Sequence, residues 1–217
     1  MAAYVRYPPA SPPGPLPGLV DDALKSAWRV HDESDPLSPR KWPAGKWRFD
    51  APDGSWPVTY ANRTQVGAFA EVYARRRDIG PGEGERRLSA MDSAPLRLVA
   101  LDEPGVLSAF NLDALVSTVP TYNRTMRWGE RFREWYDGAN GELAHGIRYL
   151  GRKSASHLNY CLWLDRCDGL VTTTQAGKLR ELRAEVLSAA DQLQLTARLF
   201  DPASAKSTAW PGRPPSV

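Results

Sequence analysis

VTYANRTQVGAFAEVYARRR, Val58 to Arg77, changes its period partway along. Val58 to Ala61 has the β-branched and aromatic content of a short strand. Val66, Phe69, Ala70 and Tyr73 then fall at helical spacing. Asn62, followed three residues later by Gln65, has the form of a capping box in which the Asn62 side chain accepts from the Gln65 amide. A helix is therefore expected to run to about Arg77. The glycines and proline of Ile79 to Glu85, IGPGEGE, end it. One carboxylate, Glu71, lies in the middle of this helix among small and apolar residues.

Upstream, the turn residues Pro52, Asp53 and Gly54 separate GKWRFD (Gly45 to Asp50) from Val58, which predicts a hairpin-like pair of strands. Ser26 to His31, SAWRVH, alternates Trp28 and Val30 with Arg29 and His31 as on a half-buried strand. YPPASPPGPLPG, Tyr7 to Gly18, excludes helix and sheet, so residues 1–20 are expected to form a polyproline-like or disordered arm. AWPGRPPSV has the same character, and 201–217 is expected to be a flexible tail.

Downstream, RLVAL (Arg97 to Leu101) predicts a buried strand, and LSAFNLDAL (Leu107 to Leu115) a short helix. Met126, Trp128, Phe132, Trp135 and Tyr136 place a helix over Arg124 to Tyr136 with Gly138 as its stop, and this helix should cover a sheet face. GIRYL (Gly146 to Leu150) and LNYCLWL (Leu158 to Leu164) predict two strands around GRKSASH. Leu179, Leu182, Val186, Leu187 and Ala190 form the stripe of a last helix. A single domain over 21–200 is expected, without internal repeats.

Composition narrows the function. The chain has 217 residues, 42% of them hydrophobic, enough for one substantial core. Its net charge is +3, from 28 basic and 25 acidic residues. Apart from Arg75-Arg76-Arg77 the basic residues are scattered, so no direct nucleic-acid contact is expected. No apolar run approaches a membrane span, and the first residues lack the succession of a secretory signal. A cytoplasmic protein follows as the expectation. Cys161 and Cys167 have no further Cys/His pair at zinc-ligand spacing, which predicts two reduced thiols and no metal.

Glu71 can serve as the partly desolvated acid of a site at the edge of the helix's apolar face, with Gly67 and Ala68 leaving open ground around it. Spacing alone makes an i, i+4 pair with Arg75 the plainer account. Arg29 and Arg48 stand beside tryptophans in WRV and KWRF. They can offer rigid forks to phosphate oxygens, or cover the tryptophans with their stems. Tyr60 can stack on a flat ring or sit in the core with a wet hydroxyl. Together, two arginines, an aromatic and a carboxylate are the parts needed to bind a dinucleotide and break an N-glycosidic bond.

At these positions the sequence resembles the RES domain family. The resemblance is carried by AWRVH (Ala27 to His31), WRFDAPDGSWPVTYA (Trp47 to Ala61), GAFAEVY (Gly67 to Tyr73), APLRLVALDEPG (Ala94 to Gly105) and GIRYLGRKSASHLNYCLWLDR (Gly146 to Arg166), in family order. It implies an α/β (α+β) single domain related to ADP-ribosyltransferases, with small mixed sheets flanked by helices. It also implies a toxin that destroys NAD by hydrolysis or phosphorolysis, with NAD as substrate and no cofactor. The implied partner is an Xre-like helix-turn-helix antitoxin.

The family's first arginine falls on Arg29, its second on Arg48, its tyrosine on Tyr60 and its glutamate on Glu71. Glu71, Arg29 and Tyr60 are thereby the expected catalytic residues. Arg29, Arg48 and Tyr60, together with Arg152 and Ser154 of the following loop, are expected to bind the substrate. The family serine falls on Gly151, and Ser154 or Ser156 would have to supply its hydroxyl. Transfer of ADP-ribose to a macromolecule, a non-catalytic RES-like module, and a homo-oligomer remain open alternatives.

Overall fold

The computed structural model describes residues 6–38, 47–117, 122–139, 141–151 and 157–201. Eight strands form one mixed sheet: β1 (Val20–Ala23), β2 (Ala27–His31), β3 (Val58–Asn62), β4 (Arg87–Ser93), β5 (Pro95–Ala100), β6 (Gly146–Leu150), β7 (Leu158–Trp163) and β8 (Val171–Lys178). Their order is β1-β5-β6-β7-β3-β2-β4-β8. Only β5 and β6 run parallel. Helices α1 (Gln65–Tyr73), α2 (Pro104–Ala109), α3 (Asn123–Trp135) and α4 (Arg183–Gln192) flank the sheet. The α/β class with mixed strands and flanking helices is thus observed, with the expected small sheets joined into one.

The join is narrow. Strands β2 and β3 share a single register pair, Trp28 with Asn62. By contrast β3 and β7 pair along their whole length, from Val58↔Trp163 to Asn62↔Asn159. On the other side, β2 pairs fully with β4. The sheet therefore consists of two ladders held together at one point, and the sides of β2 and β3 beyond it are available to line a cleft.

Three apolar clusters hold the layers. Phe110, Trp128, Phe132 and Tyr136 of α2, α3 and their ends pack on Ile147, Cys161 and Trp163, so α3 does cover a sheet face. Phe69 and Tyr73 of α1 meet Leu88 and Val186. Each is fully buried and contributes on the order of 2 kcal/mol of hydrophobic stabilisation. Leu24, Met91, Leu98 and Leu162, from the end of β1 and from β4, β5 and β7, belong to the third cluster.

Local differences from the sequence expectations have physical causes. The described part of GKWRFD, Trp47 to Asp50, is a turn and not a strand, closed by Asp50, whose carboxylate accepts from Trp47 N at 2.8 Å. Helix α1 is capped by Thr64, whose hydroxyl accepts from Gly67 N at 3.0 Å, and not by Asn62. It ends at Tyr73, and the following turns finish with Arg77 at a φ of 56°. LSAFNLDAL is split between the end of α2 and a single turn at Ala114–Ser117. Strand β2 is buried on both faces, Arg29 and His31 as fully as Ala27 and Val30.

The proline-rich segment from residue 6 to 19 contains neither helix nor strand. It lies against α3, where Trp128 Nε1 donates to Arg6 O and the Tyr136 hydroxyl to Pro17 O. Of the expected tail, all but Asp201 lies outside the described residues. Cys161 and Cys167 are both buried and are not joined by a disulfide.

Candidate functional site

A cleft of about 390 Å³ opens where β2 and β3 part, and Arg29, Arg48, Tyr60 and Glu71 all line it. Four separate stretches of chain bring them there. Arg29 comes from the middle of β2, Arg48 from the turn at Trp47 to Asp50, Tyr60 from β3 and Glu71 from α1. The volume lies within the range of small-molecule sites.

Arg29 forms the floor. It is 2% exposed, and a cation so deeply buried requires partners. Its Nη1 donates to Thr59 Oγ1 at 2.6 Å and to Pro36 O, and its Nη2 to Glu33 Oε2 at 3.2 Å. Glu33 is itself buried, so the arginine's charge is partly offset from below. Beside it, His31 Nδ1 donates to Glu33 O at 3.0 Å, which leaves Nε2 to accept from Ser89 Oγ at 2.8 Å. Burial, helped by the neighbouring Arg29 charge, lowers the His31 pKa to about 4.

The aromatic wall is built around one carboxylate. Asp50 accepts from the Tyr60 hydroxyl at 2.8 Å, and the same hydroxyl accepts from Phe49 N at 3.2 Å. Burial, then the neighbouring Cys161 and Asp50, push the Tyr60 phenol well above its ordinary pKa, so it stays protonated. Its polar tip is therefore tied into the protein, and the ring is what faces the cleft. Phe49 packs edge-on against Tyr149 at 5.1 Å, which anchors the turn that presents Arg48. Arg48 lies 5.2 Å over the Tyr122 ring and donates to Val116 O at 3.1 Å.

Glu71 differs from the other three in being exposed to the cleft, where a partly desolvated acid was expected. Among the described residues no ion pair joins it to Arg75, which lines the same cleft. Its contact instead comes from β7, where Asn159 Nδ2 donates to Glu71 Oε1 at 2.9 Å. Gly67 does not give open ground to the carboxylate either; its space is taken by the Asn62 amide.

Gly151, at the end of β6, stands against the same acid. A Cβ there would lie 3.1 Å from Glu71 Oε1 and 3.2 Å from Asn159 Nδ2. Arg152 and Ser154, with Ser156, lie outside the described residues. Tyr122, Tyr149 and Asn159 line the cleft without having stood out in the sequence, and Asn62, expected only as a helix cap, lines it as well. The available signal was an asparagine inside LNYCLWL, since a polar side chain in an otherwise apolar strand needs a partner.

Among known proteins, a family model described as RES domain matches residues 26–182. No curated protein matches the chain by sequence. Among solved structures, a chain of the crystal structure of the M. tuberculosis MbcT-MbcA toxin-antitoxin complex aligns with a TM-score of 0.54 and 16% sequence identity. The alignment covers 77% of this chain and 92% of that one, and at such identity the likeness is one of fold.

Proposed function

The chain belongs to the RES domain family, and from that premise we propose that it is a toxin-type enzyme that consumes NAD by cleaving the nicotinamide–ribose bond. The supporting observation is that Arg29, Arg48, Tyr60 and Glu71, from four separate stretches of chain, line one cleft. In this scheme Arg29 and Arg48 supply positive charge to the pyrophosphate, Arg29 as a guanidinium already oriented by Thr59 and Glu33. The Tyr60 ring, with Tyr122 and Tyr149 nearby, receives the nicotinamide side. Arg152 and Ser154, which follow Gly151, are assigned to the substrate on the sequence alone.

Glu71 then faces the ribose. As the bond from C1′ to the nicotinamide nitrogen breaks, its electron pair leaves with the nitrogen and positive charge grows on the sugar. An adjacent carboxylate lowers the energy of that state. An oxygen of water or of phosphate completes the reaction at C1′. NAD is the substrate here rather than a resident cofactor.

The fold likeness to a chain of a toxin-antitoxin complex supports a protein antitoxin as partner, which we propose to be of the Xre-like helix-turn-helix kind. The cytoplasm is the proposed place of action. No helix among the described residues is long and apolar enough to cross a membrane.

The test is incubation of the purified protein with NAD, with and without phosphate, followed by separation of products, in parallel with Glu71→Ala. Nicotinamide is expected from the wild type and none from the variant, and the ribose-side product identifies the acceptor. Label from adenine-tagged NAD on protein or nucleic acid would favour transfer to a macromolecule. Undiminished release by Glu71→Ala would remove Glu71 from the chemistry.

A further inference from the structure

We propose that Asn159 is a positioning residue for Glu71, held in its donating orientation by Asn62 and the cap residue Thr64. The polarity of this chain of contacts is forced from one end. Thr64 N is a backbone donor, and it points at the Asn62 side chain at 2.8 Å, so the oxygen of that amide must face it. The Thr64 hydroxyl, already accepting from Gly67 N, donates to the same oxygen at 3.1 Å. That turns Asn62 Nδ2 toward Asn159, where it donates to Oδ1 at 2.6 Å. Asn159 then has only its amino group left for Glu71 Oε1, at 2.9 Å.

Both asparagines are buried, Asn62 at 1% and Asn159 at 2% exposure, so water does not readily take the place of these partners. They are also direct register partners on β3 and β7. The pair thus ties the capped N-terminus of α1 through the rigid sheet to an acid on the same helix. An exposed glutamate has three free torsions and wanders among rotamers. A fixed donor at one oxygen selects the rotamer that keeps the carboxylate in the cleft and leaves Oε2 outside that bond.

The catalytic consequence rests on the NAD scheme above; the positioning itself does not. Two measurements separate them. Crystal structures of the wild type and Asn159→Ala are expected to show the Glu71 carboxylate displaced or spread over several rotamers in the variant. A carboxylate unmoved in Asn159→Ala overturns the proposal whether or not the protein acts on NAD. In the nicotinamide assay, kcat should fall about ten- to a hundredfold in Asn159→Ala at nearly constant KM. Asn159→Ser, which retains a short donor, should recover part of kcat. A wild type that releases no nicotinamide, with Glu71 displaced in the Asn159→Ala crystal, would refute the NAD scheme and support the positioning role. An active wild type with full kcat in Asn159→Ala would refute the role of Asn159 alone.

Discussion

Gly67 lies so close to Asn62 that a Cβ placed on it would fall 1.9 Å from the amide oxygen and 2.6 Å from the amide nitrogen. The first turn of α1 can settle on the buried amide only because position 67 has no side chain. In an ordinary helix Gly→Ala is favourable by roughly 1 kcal/mol, but here the clash cannot be relieved without moving Asn62. Gly67→Ala is therefore expected to destabilise the protein by about 2 kcal/mol, the range of overpacked cores. Thermal unfolding should begin several degrees lower, and Asn62→Ala in the same chain should restore part of the loss. An unchanged midpoint in Gly67→Ala would contradict the contact.

Most of the scaffold around this contact was legible from periodicity. Strands β2, β3, β6 and β7 and helix α3 carry enough apolar residues at the right spacing to declare themselves. Strands β4 and β8 do not. RLSAMDS and VTTTQAGK have no strict alternation, β8 is a largely exposed edge strand, and the ladder between them is interrupted by an irregularity at Leu88/Ser89. In the site, Glu71 was visible as an acid among small residues. Its contact was not, because which way an asparagine amide points depends on strands whose residues are 97 positions apart. Likewise, the commitment of the Tyr60 hydroxyl to Asp50 follows from the turn at Trp47, which resembled a strand in sequence.

That commitment separates two roles of Tyr60. Tyr60→Phe removes a donor from the buried Asp50 and an acceptor from Phe49 N, and should cost about 1–2 kcal/mol in urea denaturation. It leaves the ring in the cleft, so most of the nicotinamide-releasing activity should remain. Tyr60→Ala removes the ring as well and should raise KM for NAD. Equal impairment of catalysis in the two variants would sink the ring-contact role.

His31 makes stability depend on pH. Its pKa is about 4 in the folded protein, against an ordinary value of 6.5. Between these values the unfolded chain binds a proton that the folded protein does not. Stability is thus full above about pH 6.5, falls as pH drops toward 4, and stops changing on this account below that. The total is on the order of 3 kcal/mol. Glu33 opposes the shift while Arg29 and Arg87 reinforce it, so all three charges are part of the balance. Urea midpoints measured at pH 7, 5.5 and 4 should show the decline. A His31→Gln variant should remove the portion above pH 5, where carboxylates contribute least. A wild-type midpoint that is flat from pH 7 to 5 would refute it.

Gly151 occupies the position at which the family resemblance implies serine, and the surrounding space argues that serine cannot simply be put back. Its φ is one that any residue adopts, so the obstacle is room rather than backbone strain. A Cβ would lie 3.0 Å from His157 O, 3.1 Å from Glu71 Oε1 and 3.2 Å from Asn159 Nδ2. The His157 carbonyl is held in place, since it accepts from Gly151 N at 2.7 Å. The two side-chain ends are what can yield, and they are the two ends of the Asn159–Glu71 hydrogen bond. Gly151→Ser is accordingly expected to fold, to retain NAD binding, and to lose roughly tenfold in kcat, as one displaced positioning contact does. Gly151→Ala, with the same Cβ and no hydroxyl, should lose about as much, which would assign the effect to crowding. A kcat in Gly151→Ser above that of the wild type would mean that the missing hydroxyl outweighs the crowding.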